Sequence, residues 1–149
     1  VHPDVQVITF FVPGRPQAQG SKVKTRWGMR EDNTELGPWR ERVALAAHEA
    51  QGKVANRTLE EGGFQPLLKG PIAVGMEFIL YRPQATPQSR TPPATKKPDI
   101  DKMARAILDA LTHVLWTDDS QVTMLMAVKR VANRGEGPGV HVWVSESQT

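Results

Sequence analysis

The chain has 149 residues, 39% apolar and 23% charged, a size and balance that point to one domain, residues 1–149, around one hydrophobic core. It has no cysteine, and its four histidines (His2, His48, His113, His141) lack metal-ligand spacing; disulfides and cysteine-bound zinc are excluded, and any metal must be held mainly by oxygen, as a hard ion prefers. A net charge of +3 identifies no partner by itself, and the longest apolar stretch, interrupted by Gly75 and Glu77, is too short to span a bilayer.

Residues 5–11, rich in β-branched and aromatic side chains, predict a first strand that Pro13 and Gly14 end. A loop is expected over residues 14–30, with Arg15, Lys22, Lys24, Arg26 and Arg30 and no acid. Pro38 can open a helix, in which Trp39, Val43, Ala46, Ala47 and Ala50 recur at helical spacing until Gly52. Residues 56–63 read as a polar connection. A second strand is expected over residues 72–81, with Ile72, Val74, Met76, Phe78 and Leu80 on one face.

Residues 82–98 form the next long loop, with five prolines and with Arg82, Arg90, Lys96 and Lys97, again without an acid. The clearest helix spans residues 99–115, where Ile100, Met103, Ala104, Ile107, Leu108, Leu111, Val114 and Leu115 make an apolar stripe. Val122, Met124, Met126 and Val128 then predict a third strand, and Val140, Val142 and Val144 a fourth, joined through a glycine-rich connection. The order β-α-β-α-β-β implies an α+β fold in which two helices pack on a mixed sheet.

The stretch that carries chemistry is Pro98-Asp99-Ile100-Asp101-Lys102-Met103-Ala104-Arg105. Pro98 biases the chain before the helix toward extended structure. In extended backbone, residues two apart point the same way, so Asp99 and Asp101 can face one point. They also sit at a helix N-terminus, where the dipole favours negative charge. Arg105 lies one turn beyond Asp101 on the same edge. At the other end Asp118-Asp119 leads into the third strand. If that strand returns beside the helix start, a third carboxylate reaches the first two. Three clustered carboxylates need a cation, and magnesium takes carboxylate and phosphate oxygens and activates water for hydrolysis. The same residues have a structural reading: an Asp before a helix caps it, and an Asp-Asp pair shapes a turn. Pattern alone leaves both open.

The segment Asp99-Ile100-Asp101-Lys102, followed by Asp109-Ala110-Leu111-Thr112 and Trp116-Thr117-Asp118-Asp119-Ser120-Gln121-Val122, resembles the signature of the RusA family of Holliday junction resolvases. Val12-Pro13-Gly14-Arg15-Pro16 and the element order also fit that family. The resemblance implies a homodimer that binds four-way DNA junctions and nicks two strands with magnesium, for which manganese can substitute. It assigns the metal to Asp99, Asp101 and Asp119, and implies a cytoplasmic place in a bacterial cell or phage-infected host. The opening Val-His-Pro-Asp does not read as a signal peptide. There are two departures. The family lysine one turn after the second Asp is Arg105 here, which keeps the charge but is no proton donor, so Arg105 is expected to contact the scissile phosphate. The base that precedes the first Asp in the family is replaced by Pro98, with Lys96 and Lys97 upstream.

The two acid-free loops hold nine of the 19 basic residues. Flanking the carboxylates, they would form a DNA-binding rim from Arg15, Lys22, Lys24, Arg26, Lys96 and Lys97; otherwise they are solvated charge. Trp27 is a candidate for stacking on a base, or a core or interface residue. Asp109 lies opposite the apolar stripe, as a second support for the site or as a solvent-facing acid. Gly14 to Lys22 has the wrong spacing for a phosphate loop, so no nucleotide cofactor is expected. Two other functions compete with junction resolution: a broader metal-dependent nuclease acting on flaps or other branches, and a catalytically silent DNA-binding protein.

Overall fold

The computed structural model describes residues 7–20, 22–31, 33–54 and 67–147. Residues 5 and 6 of the expected first strand and the connection at 56–63 lie outside these. Strand β1 (Val7–Pro13) alternates as its sequence suggests, with Ile8 and Val12 buried. The next segment departs from the expected plain loop. It forms a hairpin of β2 (Lys22–Thr25) and β3 (Gly28–Glu31), paired Lys22 to Glu31 and Thr25 to Gly28. Thr25 Oγ1 donates to the Gly28 carbonyl at 2.7 Å and accepts from Trp27 N at 3.2 Å, while Gly28 adopts φ +118°, which a residue without Cβ tolerates.

Helix α1 (Leu36–Val54) starts two residues before Pro38, which sits in the first turn where its missing N–H costs nothing. Leu36, Trp39, Val43, Ala47 and Gln51 form its buried face. It runs through Gly52 to Val54, because one glycine costs only about 1 kcal/mol in a helix that is packed. Strand β4 (Ile72–Leu80) is central and nearly fully buried. Helix α2 (Ile100–Leu111) is shorter than its sequence stripe: Thr112 is already extended (ψ 132°) and His113 has φ 70°. A 3-10 turn (Asp119–Gln121) leads into β5 (Val122–Val131), and β6 (Gly139–Glu146) follows.

The four long strands form one sheet in the order β1-β6-β4-β5. β6 is antiparallel to both β1 and β4, and β5 is parallel to β4. Two helices packed on a mixed sheet make the α+β architecture that the element order implies, with the hairpin added. One core joins Trp39, Val43, Met103, Ile107 and Leu111 of the helices to Ile8, Val74, Met76, Phe78, Val142 and Val144 of the sheet.

The parallel β4/β5 pairing sets the polarity of the site. The starts of β4 and β5 lie at one end of the sheet with the end of α2, where Leu68 N donates to the Leu115 carbonyl at 2.8 Å. The ends of β4 and β5 lie at the opposite end, beside the start of α2. Met124 and Met126, expected on a strand face, point to the open side of the sheet and are 64% and 63% exposed. The register explains this: Met126 is level with Gly75, on the face away from the helices.

Candidate active site

Asp99 is the N-cap residue of α2 by position, with φ −72° and ψ 138°, yet its side chain makes no capping hydrogen bond. Its carboxylate is exposed and lies 3.8 Å from Lys102 Nζ. Asp101 is exposed in the first helical turn, so the pair is split between an extended residue and a helix rather than sharing one extended strand. Both carboxylates therefore stand, exposed, at the positive end of the helix dipole. Arg105 is exposed one turn on, and Gly20, at φ +121°, passes close to its guanidinium: a Cβ there would lie 3.5 Å from Arg105 Nη1.

Two anchors hold this corner. Gln19 N donates to the Lys102 carbonyl at 3.0 Å, which fastens the chain after β1 to α2. Gln19 Nε2 donates to Asp109 Oδ2, and Arg40 Nη1 donates to Gln19 Oε1 at 2.9 Å. Asp109 thus joins α1, α2 and the loop, as a support of this corner rather than merely a solvent-facing acid. From the other side, Lys129 Nζ of β5 donates to the carbonyls of Lys96 and Pro98 at 2.8 and 2.9 Å. Lys129 had no motif to reveal it; its value comes from the strand end that reaches the helix start.

A cleft of about 750 Å³ opens beside Asp99, lined by Arg15, Tyr81, Pro93, Lys96, Lys97 and Lys102 among others. The Arg15 guanidinium lies 3.9 Å from the Tyr81 ring centroid, stacked by cation-π attraction. Arg15, Lys96 and Lys97 hence share the lining of this cleft with Asp99. Lys24 and Arg26 are exposed on the β2/β3 hairpin, and Lys22 lies in β2 with its side chain outside the described atoms. Arg82 is committed elsewhere: it donates to Thr91 Oγ1 and to the carbonyls of Pro87, Arg90 and Ala132, at 2.6 to 3.1 Å. It folds the proline-rich loop around itself.

Asp119 is placed differently from the expectation that it meets Asp99 and Asp101. It lies at the opposite end of α2, a helix of 12 residues and hence about 18 Å long. Its Oδ1 accepts from Thr112 Oγ1 and, at 3.3 Å, from Trp116 Nε1. Among the described residues, no three acidic or histidine side chains gather closely enough to hold a metal. The neighbouring Asp118 shapes the turn. Its Oδ1 accepts from Ser120 N at 2.8 Å, and that hydrogen bond lowers its carboxyl pKa. Gln121 completes a capping box and ties the turn to the Leu68 and Gly70 carbonyls.

A family model described as "Endodeoxyribonuclease RusA" matches residues 13–145, most of the chain. The chain belongs to the RusA family. It is also similar to the uncharacterized protein YqaN of Bacillus subtilis (strain 168), with 27% identity over 153 positions that cover 93% of this chain and 96% of YqaN. Membership makes the chain one of a family of DNA-cutting hydrolases, and the RusA-like fold sets Asp99, Asp101 and Arg105 on one exposed helix start. None of its described helices is long and apolar enough to cross a membrane.

Proposed function

We propose that this RusA-family chain is a magnesium-dependent endodeoxyribonuclease that resolves four-way DNA junctions as a homodimer, by paired hydrolysis of phosphodiesters in recombination or repair. The observation that carries this reading is the Asp99/Asp101 pair. Two carboxylates stand exposed at a helix N-terminus, and Asp99, which makes no capping hydrogen bond, lines a cleft together with Arg15, Lys96 and Lys97. Magnesium commonly binds one or two carboxylates together with substrate phosphates, so the donor set of a single chain fits it. Bound there, the ion would supply hydroxide and neutralise charge on the phosphate, with manganese able to substitute. Asp99 and Asp101 would hold it, Arg105 would neutralise charge that develops on the phosphate oxygens, and the basic rim would bind and orient the backbone.

The third carboxylate fits the same site in a dimer. β5 is an edge strand whose outer edge pairs with no other described strand, and Met124, Leu125, Met126 and Val128 along it are exposed. A long apolar edge of this kind favours pairing with another strand. Antiparallel pairing of two copies of β5 about a two-fold axis sets the start of one strand against the end of the other. Asp119 of the partner subunit would then stand by Lys129, and so by Asp99 and Asp101.

The deciding experiment presents a synthetic four-way junction, a flap and a linear duplex to the protein, with magnesium and with excess chelator. Paired, metal-dependent nicks in the junction are expected. Equal cutting of flaps would turn the reading to a broader branched-DNA nuclease, and binding without cutting to a silent DNA-binding protein.

A further inference from the structure

Trp27 is 88% exposed at the tip of the β2/β3 hairpin, which removes the core reading of this residue. An isolated exposed aromatic needs no explanation by itself. Three features give this one a ligand. First, its surroundings are cationic. Lys24 and Arg26 are exposed beside it, Lys22 and Arg30 lie in the same hairpin, and the hairpin's one acid, Glu31, is at its base, paired in register with Lys22. Second, the Arg26 guanidinium lies 5.5 Å from the indole centroid, so a cation attends the ring where a base and its phosphate would be held together. Third, the hairpin is rooted at the candidate active site. Gln19 is bonded to the Lys102 backbone, and Gly20 lies against Arg105. The other leg returns through Asn33, whose Nδ2 donates to Gln17 Oε1 at 2.9 Å and to the Ala18 carbonyl at 3.3 Å. Each strand of four residues is about 13 Å long, with Trp27 in the loop at their far end. The two-residue loop is stiffened by the Thr25 hydroxyl on both sides of Trp27.

We infer that Trp27 is a stacking wedge that packs against an unpaired or end-exposed base at the branch point of the DNA substrate, with Arg26 and Lys24 holding the adjoining phosphates. An intact duplex offers such a ring no open face, because its bases must first be unstacked. A branch point supplies one. The tip therefore contributes preference for branched over linear DNA, while the helix start does the chemistry. This rests on the nuclease reading of Asp99 and Asp101 only for the identity of the substrate; the stacking itself needs no metal.

The test uses the whole protein in excess chelator, so that binding is read without metal-dependent cutting. The probes are a four-way junction carrying 2-aminopurine at the branch point and a linear duplex of equal length. Wild type is expected to bind the junction more tightly and to change the 2-aminopurine emission. Trp27→Ala should lose that change and about five- to 150-fold of junction affinity, the range for one base on an aromatic ring, with duplex affinity nearly unaltered. Trp27→Phe should keep most of both. A wild type that does not prefer the junction defeats the proposed substrate and this inference together. A preference that survives in Trp27→Ala, with the emission change intact, overturns the wedge alone. So does a Trp27→Ala protein whose DNA binding is normal but whose dimer dissociates, since the ring would then serve a protein interface.

Discussion

Lys129 and Pro98 are 31 positions apart, yet the Lys129 ammonium donates to the Pro98 carbonyl at 2.9 Å and to that of Lys96 at 2.8 Å. A residue near the end of an edge strand thereby fixes the entry to α2. The orientation of Asp99 depends on this entry, because Asp99 follows Pro98 directly and has no capping bond of its own to hold it.

Lys129→Met should keep the aliphatic stem and remove both hydrogen bonds. The freed carbonyls can turn to water, so a loss of about 1–2 kcal/mol in stability is expected, a few degrees in melting temperature. The cleavage rate at saturating protein should fall more than stability does, since the helix start loses its fixed geometry. Calorimetry alongside single-turnover cleavage checks this. A variant with normal rate and lowered melting temperature would leave Lys129 as a structural residue only.

Asp99→Asn, Asp101→Asn and Asp119→Asn should each abolish cleavage while junction binding persists, because each amide keeps shape and removes charge. Mixing distinguishes where Asp119 acts. A dimer of one Asp99→Asn/Asp101→Asn subunit with one Asp119→Asn subunit has one intact composite site if the third carboxylate comes from the partner. Restored single-strand nicking in the mixture is therefore expected. Silence in the mixture, with mixed dimers present, would assign Asp119 to the Thr112–Trp116 turn.

Much of this arrangement is legible in the sequence. Met103, Ile107 and Leu111 carry a periodicity that only a packed helix uses, and the RusA signature singles out Asp99 and Asp101. The β2/β3 hairpin is not legible, because Lys22 to Glu31 has no alternating apolar face and is held by Thr25 and Gly28 instead. The place of Asp119 is not legible either. It depends on β5 lying parallel to β4, so that its end and not its start meets the head of α2, and no local pattern encodes that pairing. Arg82 reads as one more basic loop residue in the sequence, while its four acceptors make it the centre of the proline-rich loop.

Acid should weaken the β5/β6 connection. Hydrogen bonds from the Arg130 guanidinium hold the Glu136 carboxyl at about 2, below its ordinary 4.5. A depressed folded-state pKa means stability that is fully present above pH 4.5 and lost as pH falls toward 2. Asp118, lowered by the Ser120 N–H, acts in the same sense below its ordinary 3.8. Glu136→Gln should thus lower stability at pH 7 and flatten its decline between pH 4.5 and 2, as read by denaturant titration across that window. An unchanged acid slope would show that the Arg130 pair carries no linkage.

The rim and Arg105 should separate in kinetics. Lys96 and Lys97 stand on the cleft wall, and Lys24 and Arg26 on the hairpin, all exposed. Charges of this kind act by displacing counterions from DNA. Removing either pair should therefore weaken binding and make its salt dependence shallower, by about one unit of slope for each phosphate that is no longer neutralised. The rate at saturating protein should fall little. Arg105 lies one helical turn from Asp101 and against Gly20, close to where the scissile phosphate would be held. Its charge is then used as negative charge builds on that phosphate, and removal of a donor aimed at developing charge typically lowers a rate by about 10²- to 10³-fold. Arg105→Ala should show that loss at saturation with modest weakening of binding, and Arg105→Lys should recover part of it, because an ammonium supplies charge without the planar fork. An Arg105→Ala protein that binds weakly but cuts at the normal saturated rate would place Arg105 with the rim.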